Sequence, residues 1–296
     1  MWVSLPAAVS ARRLRRAAPG VVALTEAADP SPTAPAADLP APATPAAPAA
    51  RPSRWVGAGI LGLWLALGAA LFLVRPSPHI LTFTFVLVGW LLAVMAHEFG
   101  HALVAWLGGD HTVKAKGYLD FDPRRYGAWQ TTLVIPILAL ALGGIGFPGG
   151  AVYLRGDLMR GRLWRTGAAL AGPAATAVIL LVLALGLEVW ASLGATSDLF
   201  PALTMLAFLQ SMALILNLLP LPGLDGFNAI RPFLPPSWAP AVLRAQVLAP
   251  LAILGVVFFV PGGGAVLFRA AAALGQALGL RPDALAYGWH AFFFWR

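Results

Sequence analysis

Residues 94–106 read VMAHEFGHALVAW, closing an otherwise uncharged run of 26 residues that begins at Leu81. That length is enough for a helix to cross the roughly 30 Å hydrocarbon core of a bilayer. Its three ionisable side chains, His97, Glu98 and His101, fall within five consecutive residues. Residues four apart share a helix face, so two imidazoles can reach one cation with a carboxylate beside them, the HExxH arrangement for zinc. Ionisable groups inside a span are costly and by default functional. A satisfied polar residue or a helix end dipping into water explains one such group better than three together, whereas a metal gives all three a common cause.

The chain on either side has the same character. Trp55–Val74 is an uncharged run of 20 residues between Arg54 and Arg75, and Thr166–Leu187, Ala202–Leu219 and a stretch around Leu248–Val260 complete five expected spans. Ala265–Leu280, with Arg269 inside it, is either a short sixth span or a helix lying in the interface. The ending AYGWHAFFFWR, from Ala286, is aromatic enough for headgroup depth. Thr131–Gly150 is apolar but contains Pro136, Pro148 and five glycines, which break helices. The fold expected is an all-α polytopic membrane protein of five to six transmembrane helices with a re-entrant Gly/Pro-rich element and room for a small β-hairpin.

Composition agrees. Of the 296 residues 59% are hydrophobic and 11% charged, against about 25% charged in a soluble domain. The net charge is +8, but the cations sit between apolar runs, a pattern of membrane topology rather than of nucleic-acid binding. Without cysteine there is no disulfide, thiolate zinc site, iron–sulfur cluster or cysteine nucleophile, so a metal must be held by His and carboxylate. Residues 1–53 are rich in Ala and Pro and are expected to form a disordered cytoplasmic tail, since no apolar run follows ARRLRR as a signal peptide requires. Residues 54–260 then form the membrane core, and residues 261–296 an interfacial or short transmembrane end.

Zinc needs at least a third protein ligand, with one position left for water. His79, His111, His290, Glu188 and Asp225 are the candidates. Asp225 lies in NLLPLPGLDGF, where Pro220, Pro222, Gly223 and Gly226 break the helix around it, and a carboxylate on such a broken helix can turn back into a protein cavity.

HEFGH in one span and Asn217-Leu-Leu-Pro-Leu-Pro-Gly-Leu-Asp225-Gly226 after another resemble the two signatures of the site-2 protease family of intramembrane zinc metalloproteases. The second fits that family's NxxPxxxLDG pattern at every specified position. AGPAAT, Ala171–Thr176, is similar to its GPxxN element, with Thr176 where Asn is usual, a departure expected to touch no metal ligand. The resemblance covers about residues 80–230. It implies His97, His101 and Asp225 as ligands of one zinc ion and Glu98 as general base, acting on a membrane-protein substrate with a transmembrane helix. Asn217 is expected in a supporting role. Thr176, with Gly172 and Ala168, is expected to serve close helix packing, and Gln210 and Glu188 to be structural.

Charge gives an independent test of topology. Both ligand groups lie toward the C-terminal ends of their spans, so those helices must run parallel. An odd number of crossings then separates them, and Thr131–Gly150 cannot be a crossing if Thr166–Leu187 is one. With that segment re-entrant, one side holds 16 Lys and Arg and the other Arg75 alone; with it crossing, the same residues divide ten against seven. The positive-inside rule selects the first arrangement, with a cytoplasmic N-terminus in a cell membrane, most simply a bacterial plasma membrane, and the metal nearer the cytoplasmic face.

Gly143–Leu154, GGIGFPGGAVYL, is a candidate for pairing with an unwound substrate as an added strand, with Gly146 and Gly149 in contact with it. The partners expected are the bilayer and a membrane-protein substrate, with no nucleic acid. Two rivals use the same residues differently: a metal transporter, and an inactive relative that binds membrane proteins. Transport needs ionisable residues along a path through several spans, and a scaffold has no need of Glu98.

Overall fold

The computed structural model describes residues 55–126, 152–194 and 196–295. The expected tail at 1–53, the re-entrant element and hairpin at 131–150, and Gly146 and Gly149 lie outside the described residues.

Four helices are long and apolar enough to cross a membrane. They are α1 (Trp55–Leu73), α2 (His79–Gly108), α4 (Arg162–Ser192) and α5 (Leu199–Leu218). Between and after them come short α3 (Thr112–Ala115) and α6 (Asp225–Ile230), then α7 (Ala239–Phe259), α8 (Gly263–Ala277) and α9 (Pro282–Phe292). The all-α polytopic expectation holds. The long helices exceed their apolar runs: α2 and α4, of 30 and 31 residues, are about 45 Å long at 1.5 Å per residue. Helix propagation continues past the apolar stretch while packing partners last, and Glu188, expected just beyond a span, is inside α4. The fifth expected span falls within α7, which starts nine residues earlier. With 15 residues, α8 reaches only about 22 Å.

Hydrogen bonds between helix ends fix their directions. Before α2 and α5 respectively, Ser77 and Asp198 meet: the Ser77 backbone N–H and hydroxyl both donate to Asp198 Oδ2, at 2.9 and 2.8 Å. Both helices therefore start at one end and run parallel, as the placement of the ligands requires. Arg160 N–H donates to the Gly108 carbonyl at 2.9 Å, so α2 ends where α4 begins, and α4 runs back between its parallel neighbours. The chain thus leaves α2 and enters α4 at the same end of the bundle, with no net crossing between them. At the opposite end Ser197 Oγ donates to the Leu71 carbonyl, which makes α1 antiparallel to α5.

Gly109 stops α2. It adopts φ +118°, a conformation that L side chains rarely take, and its N–H returns to the last carbonyls of the helix. The chain then turns through α3 to a 3-10 turn, Pro123–Arg125, capped by Asp122, which accepts the Arg124 N–H at 3.1 Å and its guanidinium at 2.9 and 2.7 Å.

Of three apolar clusters among the described residues, two frame the site. One joins Phe85 and Trp90 of α2 to Met205, Phe208 and Met212 of α5 and to Phe292 of α9. Phe292 is fully buried and its ring packs at a tilt against Phe83, so part of the aromatic ending serves as core, while Phe294 and Trp295 stay exposed. The other packs Met95, Ala102 and Ala105 of α2 against Tyr118, Tyr126 and Val152, directly beneath the ionisable side chains of α2.

Candidate active site

His97 and His101, one turn apart on the buried face of α2, turn toward α4 and α6. Asp225 is the first residue of α6, brought back to them by the break after Leu218. His97 Nε2 and His101 Nε2 are 3.0 Å apart, and Asp225 Oδ2 is 3.1 Å from the first and 3.4 Å from the second. Among the described residues this is the group of three able to hold a metal ion.

The donor set fits zinc on two counts. Three ligands of a tetrahedral ion with bonds near 2.0–2.1 Å stand about 3.3 Å from one another, and the triangle's edges bracket that value. Its hydrogen bonding also lacks protons. His101 Nδ1 faces the Ala168 carbonyl at 2.7 Å; a carbonyl only accepts, so the neutral ring donates there and turns a lone pair inward at Nε2. An ionised Asp225 adds only acceptor lone pairs to the triangle. Lone pairs facing lone pairs in a buried triangle call for a cation at its centre.

α4 supplies the support. The side of His97 turned away from the triangle meets Thr176 Oγ1 at 2.9 Å from Nδ1. With the Nδ1–H donating to that hydroxyl, Nε2 is left bare for a metal, the role outer partners play for metal-binding histidines. This corrects the expectation that Thr176 touches no ligand. Gly172 packs closely as expected, but against the imidazoles themselves: a Cβ there would lie 2.6 Å from His97 Nε2 and closer still to His101 Nε2. Sequence gave a partial signal for this, since the GPxxN-like element had no partner of its own. What it could not give was the register that sets Ala168, Gly172 and Thr176 opposite His101 and His97.

Glu98 is 3% exposed, and its Oε2 accepts the Val152 N–H at 3.2 Å. Next to Glu98, Val152 and Leu154 are buried and Tyr153 is exposed, the alternation of a one-sided strand. Two more bonds pin this stretch: Lys116 Nζ donates to the Tyr153 carbonyl at 2.8 Å, and Arg155 N–H to Asp110 Oδ2 at 2.7 Å. Asp110, fully buried, also accepts the Thr112 N–H and hydroxyl. No reading of the sequence singled out Asp110, whose partners lie two and 45 residues further along the chain.

The other candidates stay apart. His79 opens α2, 18 residues before His97; His111 lies exposed beside Trp106, His290 is exposed on α9, and Glu188 is exposed near Gly279. Asn217 is buried in the last turn of α5 and makes no hydrogen bond to His97, Glu98, His101 or Asp225 among the described residues.

Comparison with known proteins gives the same class. Over 208 residues the chain is 43% identical to a protein of Mycobacterium tuberculosis provisionally named zinc metalloprotease Rip2, covering 69% of this chain and 79% of the relative. It is 45% identical over 173 residues to the protein of that name in Mycolicibacterium smegmatis, covering 58% of this chain and 66% of the relative. The chain belongs to the site-2 protease family. A third relative, 28% identical over 193 residues, 62% of this chain and 84% of its own length, is provisionally named zinc metalloprotease YwhC of Bacillus subtilis. No family model and no solved structure matches. As a member of the site-2 protease family the chain is a membrane zinc metalloprotease, and nothing in these relatives favours a transporter or an inactive scaffold.

Proposed function

We propose that the protein is an intramembrane endopeptidase of the site-2 type, which hydrolyses a peptide bond in or near a transmembrane segment of another membrane protein, with one zinc ion per chain. The observation that carries this reading is the His97, His101 and Asp225 triangle, with Glu98 beside it, where α2, a helix able to cross a membrane, meets the short α6.

His97, His101 and Asp225 are the ligands. Bound there, zinc supplies a Lewis acid for the scissile carbonyl and acidifies the attacking water. The Glu98 carboxylate takes the proton of that water and passes it to the departing amine, while the Val152 N–H holds one of its oxygens in place. Asn217 supports the site from the end of α5. A helical substrate hides its carbonyls in its own hydrogen bonds, so it must unwind before Glu98 can act. An unwound segment would lie along the stretch at Val152–Leu154, with Gly146 and Gly149 earlier in the sequence as its further contacts. The end of the bundle that carries the site is also the end with most Lys and Arg, which supports a cytoplasmic position for it and for the N-terminus, in the cell membrane.

The test is Glu98→Gln in protein reconstituted with a tagged single-span membrane protein. Zinc content should stay near one per chain while cleavage falls by at least about a hundredfold, the scale of a lost general base. His97→Ala and Asp225→Ala should each lose zinc. Full cleavage by Glu98→Gln would overturn the assignment.

A further inference from the structure

Next to the metal triangle and separate from it, the first turn of α4, the end of α6 and the Pro-rich stretch after it enclose a cavity of about 380 Å³. Arg162, Arg165 and Arg231 line it, against one acid, Asp157. That acid is already matched: the Arg155 guanidinium donates to both its oxygens, at 2.9 and 2.7 Å. The cavity therefore keeps a net positive charge. Arg165 Nε is buried and has no hydrogen-bond partner among the described residues. Arg231 lines the cavity half-buried, and its guanidinium stays protonated. The N-terminus of α4 adds to the field, with neither an acidic residue nor a side-chain cap in its first turn.

The surroundings are of opposite character. Leu234, Ala239 and Val242 form apolar wall, and the neighbours in sequence of the lining residues, Leu163, Phe233 and Trp238, are 78%, 53% and 56% exposed. Cations within and exposed apolar side chains around, at the end of a helix able to cross a membrane, match the layered chemistry of a headgroup with acyl chains attached.

We infer that this cavity binds the phosphodiester of an anionic phospholipid, with Arg162, Arg165 and Arg231 on its oxygens. Guanidinium forks match phosphate geometry. A free phosphate would satisfy the cations and leave Leu163, Phe233 and Trp238 bare, so the lipid is the source the site fits. α6 carries both Asp225 and, three residues on, the cavity's Asn228, so a lipid held here braces the short helix that presents the third metal ligand.

Native mass spectrometry of the detergent-purified full chain, titrated with phosphatidylglycerol and phosphatidylcholine, tests this. Wild type should retain phosphatidylglycerol at least about tenfold more strongly, given roughly 1 kcal/mol per Arg near an anionic lipid. Arg165→Gln with Arg231→Gln should lose that preference while keeping zinc and helical circular dichroism, and Arg124→Gln, on the capped turn away from the cavity, should keep it. If the double variant fails to fold, Arg162→Glu, at an exposed position, must reduce the preference instead. Equal retention of the two lipids by wild type, or a preference that survives the Arg substitutions, overturns the proposal. A preference abolished by 10 millimolar inorganic phosphate (about, on the scale of weak single-anion sites) overturns the lipid in favour of a free anion.

Discussion

Thr176 Oγ1 sits 2.9 Å from His97 Nδ1, across the crossing of α2 and α4. The hydroxyl fixes the rotation of the imidazole and can accept the Nδ1–H, which leaves Nε2 for a metal. Thr176→Val keeps the shape and removes the partner, so zinc affinity should fall by about 10–100-fold. Thr176→Ser should keep it. Competition with a coloured chelator measures both, and an unchanged affinity in the valine variant would mean that the hydroxyl is only a neighbour.

Gly172→Ala should abolish zinc binding without unfolding the bundle. Its Cβ would press on both imidazole nitrogens of the triangle, and the cheapest relief is for those rings to swing away. Metal analysis of the purified variant, beside circular dichroism at the wild-type helix signal, checks it. Near-stoichiometric zinc would show that α2 and α4 can separate at little cost.

Asp110→Ala removes a buried carboxylate that accepts three hydrogen bonds. Leaving those donors unpaired costs about 1–3 kcal/mol each at most, felt where Arg155 and Val152 are tied down. Hydrogen exchange at residues 152–155 should speed up and cleavage should drop, with zinc content unchanged. Exchange at the wild-type rate would sink the idea that Asp110 holds this stretch.

Asp122 gives the fold a dependence on acid. Hydrogen bonds and charge from Arg124 hold its carboxyl below its ordinary value of 3.8, against burial. A folded-state pKa lowered in this way contributes stability above the unfolded value, and that contribution is lost as pH falls through the folded one. Asp122→Asn should therefore melt below wild type at neutral pH, with the gap closing as the pH drops under about 4. A gap that is constant with pH would show that the amide substitution acts by packing.

Much of this was legible in the chain because apolar length and clustered charge are strong signals. Leu81–Trp106 announced its helix and its HExxH group, and the need for His97 and Asp225 to meet at one depth gave the parallel course of α2 and α5. Helix ends were less legible, since polar turns such as Arg162–Arg165 extend α4 through tertiary contacts that no apolar run records. Thr176 was misread for a related reason: its spacing within α4 suits packing, and only the antiparallel register against α2 turns its hydroxyl onto His97. Phe292 looked like an interfacial aromatic until α9 was seen folded onto Phe83.

The Ser77 and Asp198 pair at the far end of the bundle makes α2, which bears His97 and His101, and α5 with the turn that leads to Asp225, a matched pair of rulers. Both are zeroed at that clasp, and the metal ligands are read off twenty or more residues further along each. One residue inserted into α2 would raise its ligands by about 1.5 Å and swing them through about 100°, and one inserted into α5 would shift the turn that leads to Asp225 in the same way. Span length is thus locked between α2 and α5: a thicker or thinner bilayer can be met by tilting the pair together, but not by lengthening one of them.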